Sequence, residues 1–188
     1  MKNIVLTYGL RAGAILAATF LVTFPFHDAI GMEWGMVIGY TSMVVAFLLV
    51  FFGVRSYRDR VAGGTIGFWR ALKVGALIAG VASACYVATW EVVYFVFAPD
   101  YIERYQASML ERERARGASE AELAAKREEM AKFAEMYANP VVNVAVTLLE
   151  PLPVALVMTL VTAGVLSRRR KGEGSGAGVV MAGANVRV

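Results

Sequence analysis

Cysteine and histidine are nearly absent from this chain of 188 residues. Because Cys85 is the single cysteine and His27 the single histidine, no internal disulfide and no zinc site of the usual Cys and His spacing can form. The glycine-rich phosphate-binding motifs of nucleotide-binding proteins and the HExxH motif of metalloproteases are also missing. We therefore expect no metal, no cofactor and no enzymatic activity.

Charged residues are scarce as well, at 18% of the chain, whereas 58% of the residues are hydrophobic. The charges are almost excluded from four apolar segments, which span residues 12–26, 35–54, 74–98 and 141–166. A helix that crosses a bilayer needs about 20 predominantly apolar residues. The sequence therefore predicts an all-α membrane protein with four transmembrane helices.

Lysine and arginine are distributed unevenly between the segments that join these helices. The loop 55–73 has five basic residues and one acidic residue, and the basic run 168–171 directly follows the last apolar segment. Positively charged loops stay in the cytoplasm during membrane insertion. We therefore expect both termini and the loop 55–73 to be cytoplasmic. The net charge of +4 then favours contact with an anionic lipid surface over binding to nucleic acid.

The longest connecting segment, 99–140, predicts an extracytoplasmic αα-hairpin with nine acidic and seven basic residues. Asp100 is the expected cap of the first arm, Gly117 marks the break, and Ser119 with Glu122 has the spacing of a helix capping box. In the second arm we expect an apolar stripe of Leu123, Met130 and Tyr137, and ion pairs of Glu122 with Lys126 and Glu128 with Lys132. The hairpin serves either as a solvated connector or as a docking surface for a protein partner. The expected units are three helices with their basic loop (1–98), the hairpin (99–140), the last helix with its basic end (141–171) and a flexible tail (172–188).

Small residues recur every fourth position at the start of the second helix. Gly31, Gly35 and Gly39 form a doubled GxxxG pattern there. Such patterns let helix backbones approach closely in lipid, where no hydrophobic driving force acts between helices. This face packs either inside one bundle or between the copies of a homo-oligomer, and the sequence does not separate the two.

Two carboxylates, Glu91 and Glu150, fall inside apolar helices. An ionisable group inside the membrane is costly and is by default a functional hypothesis. The two prolines that follow Glu150 remove amide donors, which leaves nearby carbonyls such as that of Thr147 available to a cation. We therefore predict a polar intramembrane site of Glu91, Glu150, Asn143 and Thr147. In the alternative, Glu91 reaches the outer interface, or both carboxylates are neutral and bonded to hydroxyl groups, those of Tyr86, Tyr94 or Thr89.

The cytoplasmic loop carries a recognisable pattern, RSYRDR at 55–60 followed by GTIGFWRALKVG at 64–75. Together with Gly9, Gly13 and the Pro-Asp-Tyr sequence at 99–101, it resembles an uncharacterised bacterial family, domain of unknown function 4199. The resemblance covers about residues 1–171 and implies a multi-pass protein of the bacterial inner membrane. It implies no activity and assigns no functional residue.

Two functions remain open from the sequence. The first is a structural or accessory component of the inner membrane that acts through protein or lipid contacts. The second is a proton- or cation-coupled transport unit that uses the intramembrane carboxylates.

Overall fold

The computed structural model describes residues 1–167, and of His27, Asp28 and Met32 it describes the backbone only. The predicted basic end 168–171 and the predicted tail 172–188 lie outside the described residues. Within residues 1–167 the chain is entirely helical and forms no strand. The predicted all-α class is therefore confirmed.

The helices begin and end near polar residues or glycines. They are α1 (Lys2–Thr23), α2 (His27–Arg60), α3 (Phe68–Val92), α4 (Tyr101–Ala115), α5 (Glu120–Tyr137), α6 (Pro140–Leu149) and α7 (Leu152–Leu166). A 3-10 turn, Phe24–Phe26, joins α1 to α2, and a π-helical turn, Val93–Phe97, extends α3. Helix α1 begins ten residues before the apolar segment that predicted it, because the preceding residues are also compatible with a helix.

Three helices are long and apolar enough to cross a membrane: Lys2–Phe26, Glu33–Arg60 and Phe68–Phe97. Helices α6 and α7 pass the same test only as a pair, and their axes differ by 44° at the break between them. The described residues therefore contain three candidate spans, or four if this bent pair is one span.

Helix α3 lies at the centre of the bundle and packs against α1, α2, α6 and α7. Its close approach to α1 depends on Gly9 and Gly13. A Cβ atom added at Gly9 would lie 2.6 Å from the Cβ of Val81, and one added at Gly13 would lie 2.5 Å from the Cβ of Cys85. These contacts leave no room for a larger side chain on this face of α1.

The predicted hairpin is formed by α4 and α5, which pack against each other. Gly117 adopts a positive φ of 88° and ends the first arm. Ser119 and Glu122 make the predicted capping box, in which each side chain accepts from the other residue's backbone N–H. The predicted stripe of Leu123, Met130 and Tyr137 is buried.

Two details of the hairpin differ from the sequence prediction. Asp100 precedes α4 but makes no side-chain cap, because its carboxylate pairs with Arg104. Lys126 pairs with Glu129 at 2.8 Å rather than with Glu122, whose carboxylate is already bonded to Ser119. The expected pair of Lys132 with Glu128 does form.

Candidate functional site

A cavity of about 520 Å³ lies in the half of the bundle next to the hairpin. Residues of α1, α2, α3 and α6 form its walls, and residues at the base of the hairpin, among them Tyr105 and Phe133, contribute to its rim. Helices α4 and α5 therefore lie over the bundle at their bases, beside the cavity.

Two features of the backbone make room for this cavity. Gly35 and Gly39 line it, and a Cβ atom added at either would meet no described atom within 4 Å. On the other side, α6 turns away from the axis of α7 by 44°. The expected close helix packing through Gly31, Gly35 and Gly39 is therefore not found within the described chain. Gly31 instead adopts a φ of 73°, which turns the chain between α1 and the long part of α2.

Aromatic rings cover much of the inner wall. Those of α1 and α3 are in edge-to-face contact, with centroids 5.6 Å apart for Phe20 and Trp90 and 6.3 Å apart for Phe20 and Tyr86. The ring of Tyr101, at the start of the hairpin, has its centroid 5.0 Å from that of Trp90 and 6.3 Å from that of Phe24. The wall is thus a continuous aromatic surface that joins α1, α3 and the hairpin.

A buried hydrogen-bond network supports this wall. The indole N–H of Trp90 donates to the hydroxyl oxygen of Tyr137 at 2.9 Å and to Asn143 Oδ1 at 3.0 Å. The hydroxyl of Thr147 donates to the same Asn143 oxygen at 3.2 Å and lies 3.3 Å from the Tyr137 hydroxyl. Because Asn143 has no exposed surface, these bonds satisfy groups that water cannot reach.

Two tyrosines at the hairpin junctions stay protonated at neutral pH. Burial raises the pKa of Tyr101 to about 12, and burial also raises the pKa of Tyr137. Their hydroxyl groups therefore remain neutral groups that both donate and accept hydrogen bonds.

Glu150 lies at the break between α6 and α7, and its side chain lines the cavity. The hydroxyl of Tyr86 donates to Glu150 Oε2 at 2.7 Å. The backbone N–H of Glu150 donates to the carbonyl of Thr147 at 3.3 Å, so that carbonyl is not free as the sequence suggested. For Glu150 the structure therefore shows the alternative stated above, in which the carboxylate bonds to a tyrosine hydroxyl.

Glu91 has a different environment. It is not among the described residues that line the cavity. Its Oε1 atom is buried and has no hydrogen-bond partner in the described part of the chain. The carboxylate is close enough to Tyr94 and Tyr137 to interact with them electrostatically.

The four residues of the predicted polar site therefore have three different positions. Glu150 and Thr147 line the cavity, Asn143 lies behind its wall in the network with Trp90, and Glu91 lies away from it. Sequence reasoning missed Trp90 and Tyr137 as partners in the network. No local pattern could have found this pair, because Trp90 and Tyr137 are 47 residues apart in the chain.

In residues 1–167, no group of three or more His, Cys, Asp or Glu side chains is placed to hold a metal ion. The cavity instead offers apolar surface, hydroxyl groups and one carboxylate. This combination suits an organic molecule that is largely apolar.

Comparison with known proteins yields one family. No curated protein and no solved structure matches the chain. The model of a protein family of unknown function, DUF4199, matches residues 7–168, which cover both the bundle and the hairpin. The resemblance seen in residues 55–75 is thereby confirmed, and the chain belongs to the DUF4199 family of proteins of unknown function.

Proposed function

We propose that this protein is an accessory component of the bacterial inner membrane that acts through lipid contacts, by holding an apolar chain in the cavity beside its hairpin. The observation that carries the proposal is the cavity itself. Its volume of about 520 Å³ falls within the range of about 300–1,000 Å³ that ligand pockets occupy.

The proposal includes four spans, with both termini in the cytoplasm and the hairpin outside. Helices α6 and α7 have 10 and 15 residues, which at 1.5 Å per residue is long enough for a hydrocarbon core of about 30 Å. The basic loop 55–73 supports a cytoplasmic position for the end of the bundle opposite the hairpin. The cavity then lies in the outer half of the bilayer.

The composition of the walls favours an apolar occupant. Large apolar side chains from three helices line the cavity, among them Leu16, Met36 and Val146. Filling such a space with a chain of similar polarity restores the dispersion contacts that an unfilled cavity lacks. A lipid of the outer leaflet supplies such chains at high local concentration.

Quenching of Trp90 by lipids with brominated chains tests the proposal. With Trp34 and Trp69 replaced by phenylalanine, Trp90 is the only indole, and only 9% of its surface is exposed. We expect brominated chains in nanodiscs to quench Trp90. Gly39→Leu, which adds a side chain at the cavity wall and so reduces the space for a lipid chain, should reduce the quenching.

Gly80→Leu is the matched control, since Gly80 has no described atom within 4 Å of an added Cβ and does not line the cavity. It should leave the quenching unchanged. Equal quenching in the two leucine variants would show that the cavity does not hold the lipid chain.

One observation favours a second candidate function, proton- or cation-coupled transport. Glu150 is placed at a helix break beside a cavity, as are the ion sites of transporters built from broken helices. On this hypothesis, protein in liposomes should conduct protons in response to a pH gradient, and Glu150→Gln should abolish the flux. A proton flux equal to that of empty liposomes would contradict the transport hypothesis.

A further inference from the structure

We infer that the cavity has a specific class of ligand, a lipophilic ammonium compound, whose positive charge is neutralised by Glu150. This inference rests on the proposed function in one respect, that the cavity takes apolar molecules. Its ligand is a compact compound that would compete with the lipid chain for the same space. It starts from the one charged group in the cavity wall.

Glu150 is the only charged side chain among the described residues that line the cavity. Its single described partner is the neutral hydroxyl of Tyr86. No lysine or arginine in residues 1–167 lies within ion-pair distance of it. A carboxylate inside a membrane is stabilised by a positive partner, and the described chain does not supply one. A ligand that carries a positive charge would do so.

The aromatic wall favours the same charge. Tyr86 bonds directly to the Glu150 carboxylate, and its ring is 6.3 Å from that of Phe20. Trp90 follows one turn later on α3, and it also contacts Phe20. Aromatic faces attract ammonium ions, and quaternary ammonium groups are typically recognised by several rings that surround them. Glu150 is thus bonded to the first of three rings that contact one another along the cavity wall. A carboxylate at the edge of an aromatic surface combines the two features that select an organic cation.

The depth of Glu150 shows which kind of ammonium group can reach it, that of a free compound or that of a lipid headgroup. Helix α6 begins at Pro140, so Glu150 lies ten residues below the hairpin, which corresponds to about 15 Å along the helix. The charged group of a lipid stays in the headgroup layer, outside a hydrocarbon core of about 30 Å. The ammonium group that reaches Glu150 therefore belongs to a compact molecule that enters the cavity whole, with an apolar body between the aromatic rings.

The experiment compares three probes of similar size: benzyltrimethylammonium, its uncharged isostere neopentylbenzene, and the anion phenylacetate. Each is titrated into the protein in nanodiscs of phosphatidylglycerol, whose headgroup has no amine, and Trp90 emission is recorded in the background without Trp34 and Trp69. We expect the cation to bind most tightly. Glu150→Gln should lower the affinity for the cation by about tenfold, as expected for the loss of one favourable ionic contact.

Glu91→Gln is the matched control, because it removes an intramembrane carboxylate that does not line the cavity. It should leave the affinity for the cation unchanged, and it also corrects for adsorption of the cation to the anionic lipid. Tyr86→Phe should lower the affinity for the cation less than Glu150→Gln does, since Tyr86→Phe keeps both the ring and the carboxylate. If Glu150→Gln does not fold, Gly39→Leu supplies the comparison. It should abolish the preference for the cation over neopentylbenzene, whereas a preference caused by adsorption to the anionic lipid would remain.

The outcomes separate this inference from the proposed function. If neopentylbenzene binds as tightly as the cation and Gly39→Leu blocks both, the cavity takes apolar molecules and the ammonium inference is wrong. If none of the probes binds and Gly39→Leu also leaves quenching by brominated lipids unchanged, both the inference and the proposed function are wrong.

Discussion

Trp90 joins three helices through a single nitrogen atom. Its indole N–H is shared between Tyr137, the last residue of α5, and Asn143 in α6. Because α5 and α6 are separated only by a short turn, these bonds fix the base of the hairpin and the start of α6 against α3. The shape of the cavity therefore depends on polar groups that lie behind its wall.

We expect Asn143→Ala to destabilise the protein. The substitution removes the acceptor of Trp90 and Thr147 at a site with no exposure, and buried hydrogen bonds of this kind contribute about 1–2 kcal/mol. Unfolding in mixed detergent micelles measures the difference. Ser42→Ala is the control, since the Ser42 hydroxyl donates only to a carbonyl of its own helix, that of Gly39. A change no larger than that of the control would mean that the network adds no stability.

The capping box of α5 should weaken in acid. Bonds from the hydroxyl and the backbone N–H of Ser119 hold the pKa of Glu122 below its ordinary value of 4.5. A carboxylate whose pKa is lowered by folding stabilises the folded state above its unfolded pKa, and this contribution is lost as the pH falls through the lowered value. We expect the protection of the backbone amides at the start of α5, corrected for the intrinsic exchange rate at each pH, to decrease below pH 4.5. Glu122→Gln should remove this pH dependence, and an identical profile in the variant would contradict the assignment.

At the scale of the helices, small residues have different roles depending on which face they occupy. Gly9 and Gly13 contact α3 directly, whereas Gly80 on α3 faces away from the described chain. The pattern of small residues is similar in both helices, so spacing alone does not show which stripe packs. The arrangement of the neighbouring helices determines it.

Gly13→Ala and Gly80→Ala should therefore have opposite effects on stability. At position 13 the new Cβ would lie 2.5 Å from the Cβ of Cys85, and such overpacking typically destabilises by about 1–3 kcal/mol. At position 80 nothing opposes the new methyl group, and alanine favours the helix by up to about 1 kcal/mol. Thermal unfolding in detergent would measure both. Destabilisation by Gly80→Ala would place a second helix, or a second copy of the chain, against this face.

At the scale of the whole molecule, charge determines the orientation that we propose. Thiol labelling of single cysteines tests it in a background with Cys85 replaced by alanine. Glu120→Cys in the hairpin should react with a membrane-impermeant maleimide in spheroplasts. Val61→Cys, beside the basic loop and 49% exposed, should react only after lysis. The opposite pattern would place the hairpin in the cytoplasm.

The sequence by itself determined the properties that depend on composition and local spacing. The apolar segments predicted the helices, and Gly117, Ser119 and Glu122 predicted the turn and the cap of the hairpin, because these interactions form between residues close in the chain. The pattern in residues 55–75 also indicated the family to which the chain belongs.

Only the tertiary structure decided how the polar residues of the apolar helices are grouped. Glu91 and Glu150 look alike in the sequence, yet Glu150 meets Tyr86 at the cavity and Glu91 lies outside it. Gly35 and Gly39, which the spacing suggested for helix packing, border the cavity instead. The physical reason is that the bend of 44° after Leu149 and the turn at Gly31 set the positions of whole helices, and no local pattern specifies which faces those positions bring together.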